Sequence, residues 1–275
     1  MIDIGSELSR DFHGWGTVHG VDGFLETTIE TLSGRGFKPD NSHLIYSVCP
    51  DEINRLHCRR TIELALQDVF DGEFHLGNLA AYPIGGITGI SAASHHVPDR
   101  MEGGRIVEEG NLIFFVSPHV GVTIGQVQVE GELLTASVDG GIEYGKVRRP
   151  GQEHDTSCCG AMMALMEHAP ELLDETRVAG LTGNRLDIAK GILFTELVEN
   201  HRQDVAELLE LPGVNERVIA LAKINYELVA GVIKDEISRF IDSDPFHGHI
   251  AMIGGITVNA GDKDYFVSRE IEFIH

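Results

Sequence analysis

Three residues far apart in the chain share a placement suited to metal chemistry. Cys49 closes the apolar run 43–48 (HLIYSV) and stands just before Pro50-Asp51-Glu52, where a Pro followed by two acids predicts a helix start. Cys159 opens a second helical pattern, just before Gly160-Ala161. His119 ends the other apolar run, 111–116 (NLIFFV), after Ser117-Pro118. A helix N-terminus stabilises negative charge, so both thiols are placed to ionise more readily. Ligands in open α/β sheets gather outside the carboxyl ends of the strands, where Cys49 and His119 are expected. Two cysteines and a histidine form a ligand set of catalytic zinc that leaves a fourth position for water. Zinc lowers the pKa of that water to about 7 and makes hydroxide available at neutral pH.

Asp51 and Arg55 stand four positions apart at the start of the same predicted helix. An i,i+4 pair of this kind forms a charge-assisted hydrogen bond, and a carboxylate so held can accept a proton from a metal-bound water. Each residue also has a plainer reading. Cys49 fits burial at a strand end as well as metal ligation. Asp51–Arg55 in isolation fits a solvated helix pair. Cys58, on the apolar stripe, reads as a core thiol. With 14 histidines in the chain, pairs such as His95-His96 arise by chance.

The elements that must position these residues follow from hydropathy patterning. Residues 1–40 are polar and Gly-rich, with an amphipathic helix near 23–32 and a turn at 38–40. The runs 43–48 and 111–116 read as buried strands, and a helix from Pro50 runs to about Phe70. Residues 75–99 combine glycines and small residues and read as tightly packed loop. Gly125–Val129 and Glu132–Ser137 suggest a hairpin around Glu130-Gly131. A helix begins at 157, long helical patterns cover 185–210 and 214–241, and strand-like runs close the chain at 250–258 and 265–267. Strands alternating with helices predict an α/β fold: a central sheet flanked by helices, with long C-terminal helices. A single domain over 1–275 is expected, with a helical segment at about 1–40, a helical layer at about 185–241 and closing strands at about 249–268.

Composition removes several partners. The chain carries 21 Lys and Arg against 43 Asp and Glu, a formal charge of −22. Such a chain lacks the cationic face that nucleic acid or an anionic membrane requires. No apolar run approaches the roughly 18 residues of a membrane span, and residues 1–10 do not form a secretory signal. Four cysteines without a C-x-x-C pair exclude a disulfide framework and a zinc ribbon. A cytoplasmic location is expected.

Five blocks in order make the chain resemble the limiting-CO2-inducible protein B/C family, β-carbonic-anhydrase-like proteins related to the theta class. They are PDNSHLIYSVCPDEINR at 39–55, HLGNLAAYPIGGITGISAASHHVPD at 75–99, SPHVGV at 117–122, SCCGA at 157–161 and GGITVNAGDKDYF at 254–266. The resemblance implies a β-carbonic-anhydrase-like sheet, zinc (Zn2+) held by Cys49, His119 and Cys159, and Asp51 with Arg55 as the catalytic pair. It implies reversible hydration of CO2 to bicarbonate through zinc-bound hydroxide, and a homodimer. Against the ordinary β-carbonic-anhydrase pattern, the Arg lies six residues after Cys49 rather than four, where Ile53 stands. No His lies three before Cys159, where Thr156 stands. His154 therefore competes with His119 as ligand and Cys158 with Cys159. His95 and His96 are candidate proton carriers. The alternatives are a non-catalytic bicarbonate- or CO2-sensing or scaffold protein on the same fold, and a metal-free cysteine hydrolase using Cys159.

Overall fold

The computed structural model describes residues 2–124, 127–129, 132–134, 141–174, 177–182, 187–243 and 246–274. At its centre a nine-stranded mixed sheet contains β1 (Thr17–Gly20), β2 (Ser42–Val48), β3 (Asp71–His75), β4 (Asn111–Ser117), β5 (His119–Ile124) and β6 (Ile142–Tyr144). A short ribbon of β7 (Lys146–Val147) and β8 (Thr156–Ser157) stands apart from it. The last sheet strands are β9 (Ile250–Asn259), β10 (Asp264–Ser268) and β11 (Glu272–Phe273). The order β1–β10–β9–β4–β2–β3 is parallel from β9 to β3 and antiparallel where β10 meets β9 and β1.

Both faces of the parallel strands are covered, which is why they read as continuous apolar runs. Side chains alternate between the faces. Leu44, Tyr46, Ile113 and Phe115 pack with Phe24 and Leu32 of α2 (Val21–Ser33) and Ile62 and Leu66 of α3 (Ile62–Gln67). Ile45, Leu112, Phe114 and Val116 face the opposite cluster. There, residues of α1 (Ile4–Asp11), α4 (Gly86–Ser94), α5 (Gly160–Leu172), α7 (Ile188–Asn200), α8 (Arg202–Glu210) and α9 (Val214–Ser243) close the core, with α6 (Val178–Thr182) beside α5 and α7. Fully buried Ile233, Ile237 and Phe240 anchor α9, each contributing about 1.5–3 kcal/mol through apolar burial.

The ten-residue β9 serves as template for two strands in succession. Its first half pairs with β4 through Gly254↔Val116, and its second half pairs with β5 from Thr257↔His119. Pro118, which has no amide proton to give, spans the junction, and its carbonyl accepts from Thr257 N at 3.0 Å. His119 therefore starts a new strand rather than ending the previous one.

The expected helix from Pro50 to Phe70 is broken into a short 3-10 turn, Glu52–Arg55, and α3. Between them the chain turns to send Arg59 into the interior, and Cys58, expected in the core, is exposed. The segment 75–99, expected as loop, contains α4, whose N-cap Gly85 and internal Gly89 sit against Leu76 of the adjoining segment. The pattern at 185–210 divides at His201 into α7 and α8. The predicted hairpin is present as Val127–Val129 paired with Glu132–Leu134, and the rest of it lies outside the described residues.

Candidate metal centre

Cys49 leaves the carboxyl end of β2, and its carbonyl accepts from Asn54 Nδ2 at 3.1 Å. Cys159 is the N-cap of α5, and its side chain caps nothing, which leaves the thiol free. His119 opens β5. The same strand also positions the cysteine segment, because Gly121 N donates to Cys158 O at 2.9 Å. A Cβ at Gly121 would lie 2.6 Å from Cys158 Cβ, so only glycine permits this approach.

Cys49, His119 and Cys159 are all buried, and their ligand atoms lie within 4.8 Å of one another. The two sulfurs are 3.5 Å apart. Of the His119 ring nitrogens, Nδ1 lies 2.6 Å from Asn259 Oδ1, whereas Nε2 is buried without a hydrogen-bond partner. An orphaned imidazole nitrogen beside two thiols is a donor set that suits a soft divalent cation. The Cys159 thiol beside it, together with burial, pushes the Cys49 thiol well above its ordinary range. The helix N-terminus does not help here, because only a short 3-10 turn follows Cys49. Two thiolates in this dry space need a positive charge between them, which a metal ion provides.

The two open ligand choices separate by position. Cys158 faces the other side of the imidazole, its sulfur 3.6 Å from Nδ1 and 3.4 Å from Asn259 Oδ1. His154 is exposed, as are His95 and His96 near the end of α4.

Asp51 caps the 3-10 turn, its Oδ1 accepting from Ile53 N at 3.2 Å. A carboxylate oxygen of Asp51 also falls within 4.8 Å of ligand atoms of His119 and Cys158. The expected pairing of Asp51 with Arg55 does not form. Arg149 donates from Nη2 to Asp51 Oδ1 at 3.2 Å, and its Nη1 pairs with Glu52. The i,i+4 geometry needs an α-helix, and a 3-10 turn rotates Arg55 away. Arg55 is half exposed and pairs with Glu63 and His75. Burial pushes the Glu63 carboxyl up to about 7, against the opposing pull of Arg55.

Sequence reasoning missed the residues that surround His119 and Cys49. Asn259 ends β9 on the same face as Thr257, the register partner of His119, because side chains repeat every second residue. Its Nδ2 donates to Asn54 Oδ1 at 3.1 Å and Asp264 Oδ1 at 3.0 Å. Asp264 in turn pairs at 2.8 Å with Arg59, the two side chains 1% and 0% exposed. The signal available was Asn259, a polar residue closing the largely apolar run 250–258; Asp264, after Asp262 and Lys263, offered none.

Fold and site together define a mixed α/β protein with a buried Cys2His candidate metal centre at the strand ends. The profile of the family described as limiting CO2-inducible proteins B/C beta carbonic anhydrases matches residues 18–275, and the chain belongs to that family. Among solved structures, it is similar to PtLCIB4, a homolog of the limiting CO2-inducible protein LCIB. That likeness has a TM-score of 0.70 at 24% identity and covers 97% of this chain and 93% of the other. LCIB itself gives a TM-score of 0.65 at 17% identity over 99% of this chain and 95% of the other. These likenesses show the fold. A search of curated proteins finds no match. Among the described residues, no helix is long and apolar enough to cross a membrane.

Proposed function

We infer that the chain is a zinc-dependent carbonic anhydrase that interconverts CO2 and bicarbonate. The observation that carries this reading is the convergence of Cys49, Cys159 and the unpartnered Nε2 of His119 in one buried site. Membership in a β-carbonic-anhydrase family supports it. Those three residues would hold the zinc, which supplies a Lewis acid that brings the ionisation of water near neutral pH.

The chain's own residues do the rest. Asp51, clamped by Arg149 and the Ile53 amide, accepts a hydrogen bond from the attacking water and fixes its orientation. Arg149 takes the orienting part that the spacing had offered to Arg55. Asn259 holds the imidazole in place, and burial of both cysteines excludes competing solvent. Addition of water to CO2 yields bicarbonate and one proton, which leaves through solvent.

Stopped-flow CO2 hydration, run on protein of measured zinc stoichiometry, tests the reading. Turnover that scales with bound zinc supports it. Zinc-replete protein with no rate above buffer overturns it.

A further inference from the structure

The direction of the buried hydrogen-bond chain behind His119 is set by donors that have no alternative. Its far end is Arg59, whose guanidinium carries only N–H donors. It gives them to the carbonyls of Ile53 at 2.7 Å, Gly261 at 3.1 Å and Lys263 at 3.2 Å, and to that of Ala260. The remaining contact is Asp264 Oδ1 at 2.8 Å. Asp264 Oδ2 accepts from Ile62 N at 3.1 Å, so this carboxylate is engaged as an acceptor on both oxygens. Asn54 gives its own amide hydrogens to the Cys49 carbonyl and turns its oxygen towards Asn259.

Asn259 thus meets two acceptors, Asp264 Oδ1 and Asn54 Oδ1, on one side of its amide. Its NH2 group must stand there, which leaves its oxygen facing His119. An oxygen 2.6 Å from Nδ1 requires the proton to sit on Nδ1. The Cys158 thiol, 3.4 Å from the same oxygen, is a second donor to it and agrees with this orientation. The unprotonated face of the ring is then Nε2, the atom that has no protein partner.

We propose that Asn259 is a positioning residue, oriented by Arg59, Asp264 and Asn54, that locks His119 with its proton on Nδ1 and presents Nε2 as the metal donor. The same network reaches the other side of the centre, because Asn54 ties down the Cys49 carbonyl. Two ligands on different strands are therefore set by one buried polar cluster. A buried amide kept only to fill space would have no reason to choose a tautomer, and that difference makes the role measurable. The last step, presentation to a metal, rests on the zinc reading above.

The test uses the full chain labelled with 15N-histidine and loaded with zinc of measured stoichiometry. Long-range 1H–15N correlation, with His119 assigned by its loss in His119→Gln, is expected to show the proton on Nδ1 and zinc on Nε2. Zinc affinity by chelator competition is expected to fall about 10–100-fold in Asn259→Leu. Zinc bound through Nδ1, or wild-type affinity in Asn259→Leu, overturns the proposal. Should Asn259→Leu fail to fold, the ring state of the wild-type chain decides alone. A wild-type chain that takes up no zinc overturns the metal reading instead. The positioning claim is then judged on the neutral metal-free ring, where a proton on Nδ1 supports it and a bare Nδ1 overturns it.

Discussion

Asp51 is tied to Arg149 by a 3.2 Å contact from Nη2 to Oδ1, joining residues 98 positions apart. The acid rides on the end of β2, while its clamp comes from the segment between β7 and β8. Its orientation is thus a tertiary property, and the clamp can be removed without touching a candidate metal ligand.

Asp51→Ala is expected to lower CO2 hydration by about 100-fold, in the range for loss of a positioned acid–base group. Arg149→Ala should lower it in the same direction and Arg55→Ala much less, because Arg55 contacts Glu63 and His75. Stopped-flow assays at matched zinc content check the order. An Arg55 effect as large as that of Arg149 would restore the original pairing.

The doubled cysteine gives a second contrast. Cys159→Ser removes a thiol 3.5 Å from Cys49 Sγ and should abolish stoichiometric zinc uptake. Cys158→Ser changes the opposite side of the imidazole and should leave zinc bound. Metal analysis after dialysis distinguishes the two variants. Full retention in Cys159→Ser would move the ligand to Cys158.

Arg59 and Asp264 are an ion pair with almost no solvent contact. Arg59→Met leaves a buried carboxylate without its counter-charge, and the expected cost is about 3–5 kcal/mol. Urea unfolding measures it. A loss under about 1 kcal/mol would show that water enters the site freely, as at a surface pair.

Glu63 predicts a pH dependence. Its carboxyl is raised from its ordinary value of 4.5 to about 7 in the folded chain, with burial the main cause. Between those values the native state holds a proton that the unfolded chain has lost, so this group's contribution to stability falls as pH rises. Below the unfolded value it contributes no penalty, and above about 7 the penalty is complete. Glu63→Gln should therefore gain stability relative to wild type on going from pH 5 to pH 8. Urea unfolding at both values checks it, and the opposite trend would show that the Arg55 pair dominates.

Strands were readable in the chain because burial on both faces writes itself as an unbroken apolar run, as in NLIFFV. The candidate ligands Cys49 and His119 were readable for a related reason, since they lie where such runs stop. The region after Cys49 was not. Periodicity there suited one helix, but Arg59 donates to four separate carbonyls and to Asp264, and that demand breaks the helix. Spacing offers no sign that an arginine will be fully buried, nor that its carboxylate partner stands 205 residues away. The Asp51 clamp escaped notice for the same reason, because a long-range pair leaves no local period.

Thr257 N, at the junction where β9 passes from β4 to β5, donates to Pro118 O and to Ser117 Oγ, each at 3.0 Å. This amide lies in the sheet interior, two residues before Asn259 and in register with His119. Opening it would separate the strands that carry the core, so its hydrogen exchange should proceed only through global unfolding. The imidazole is consequently mounted beside an amide expected to be among the slow exchangers. Local breathing of the ribbon that carries Arg149 would leave this backbone anchor of His119 in place.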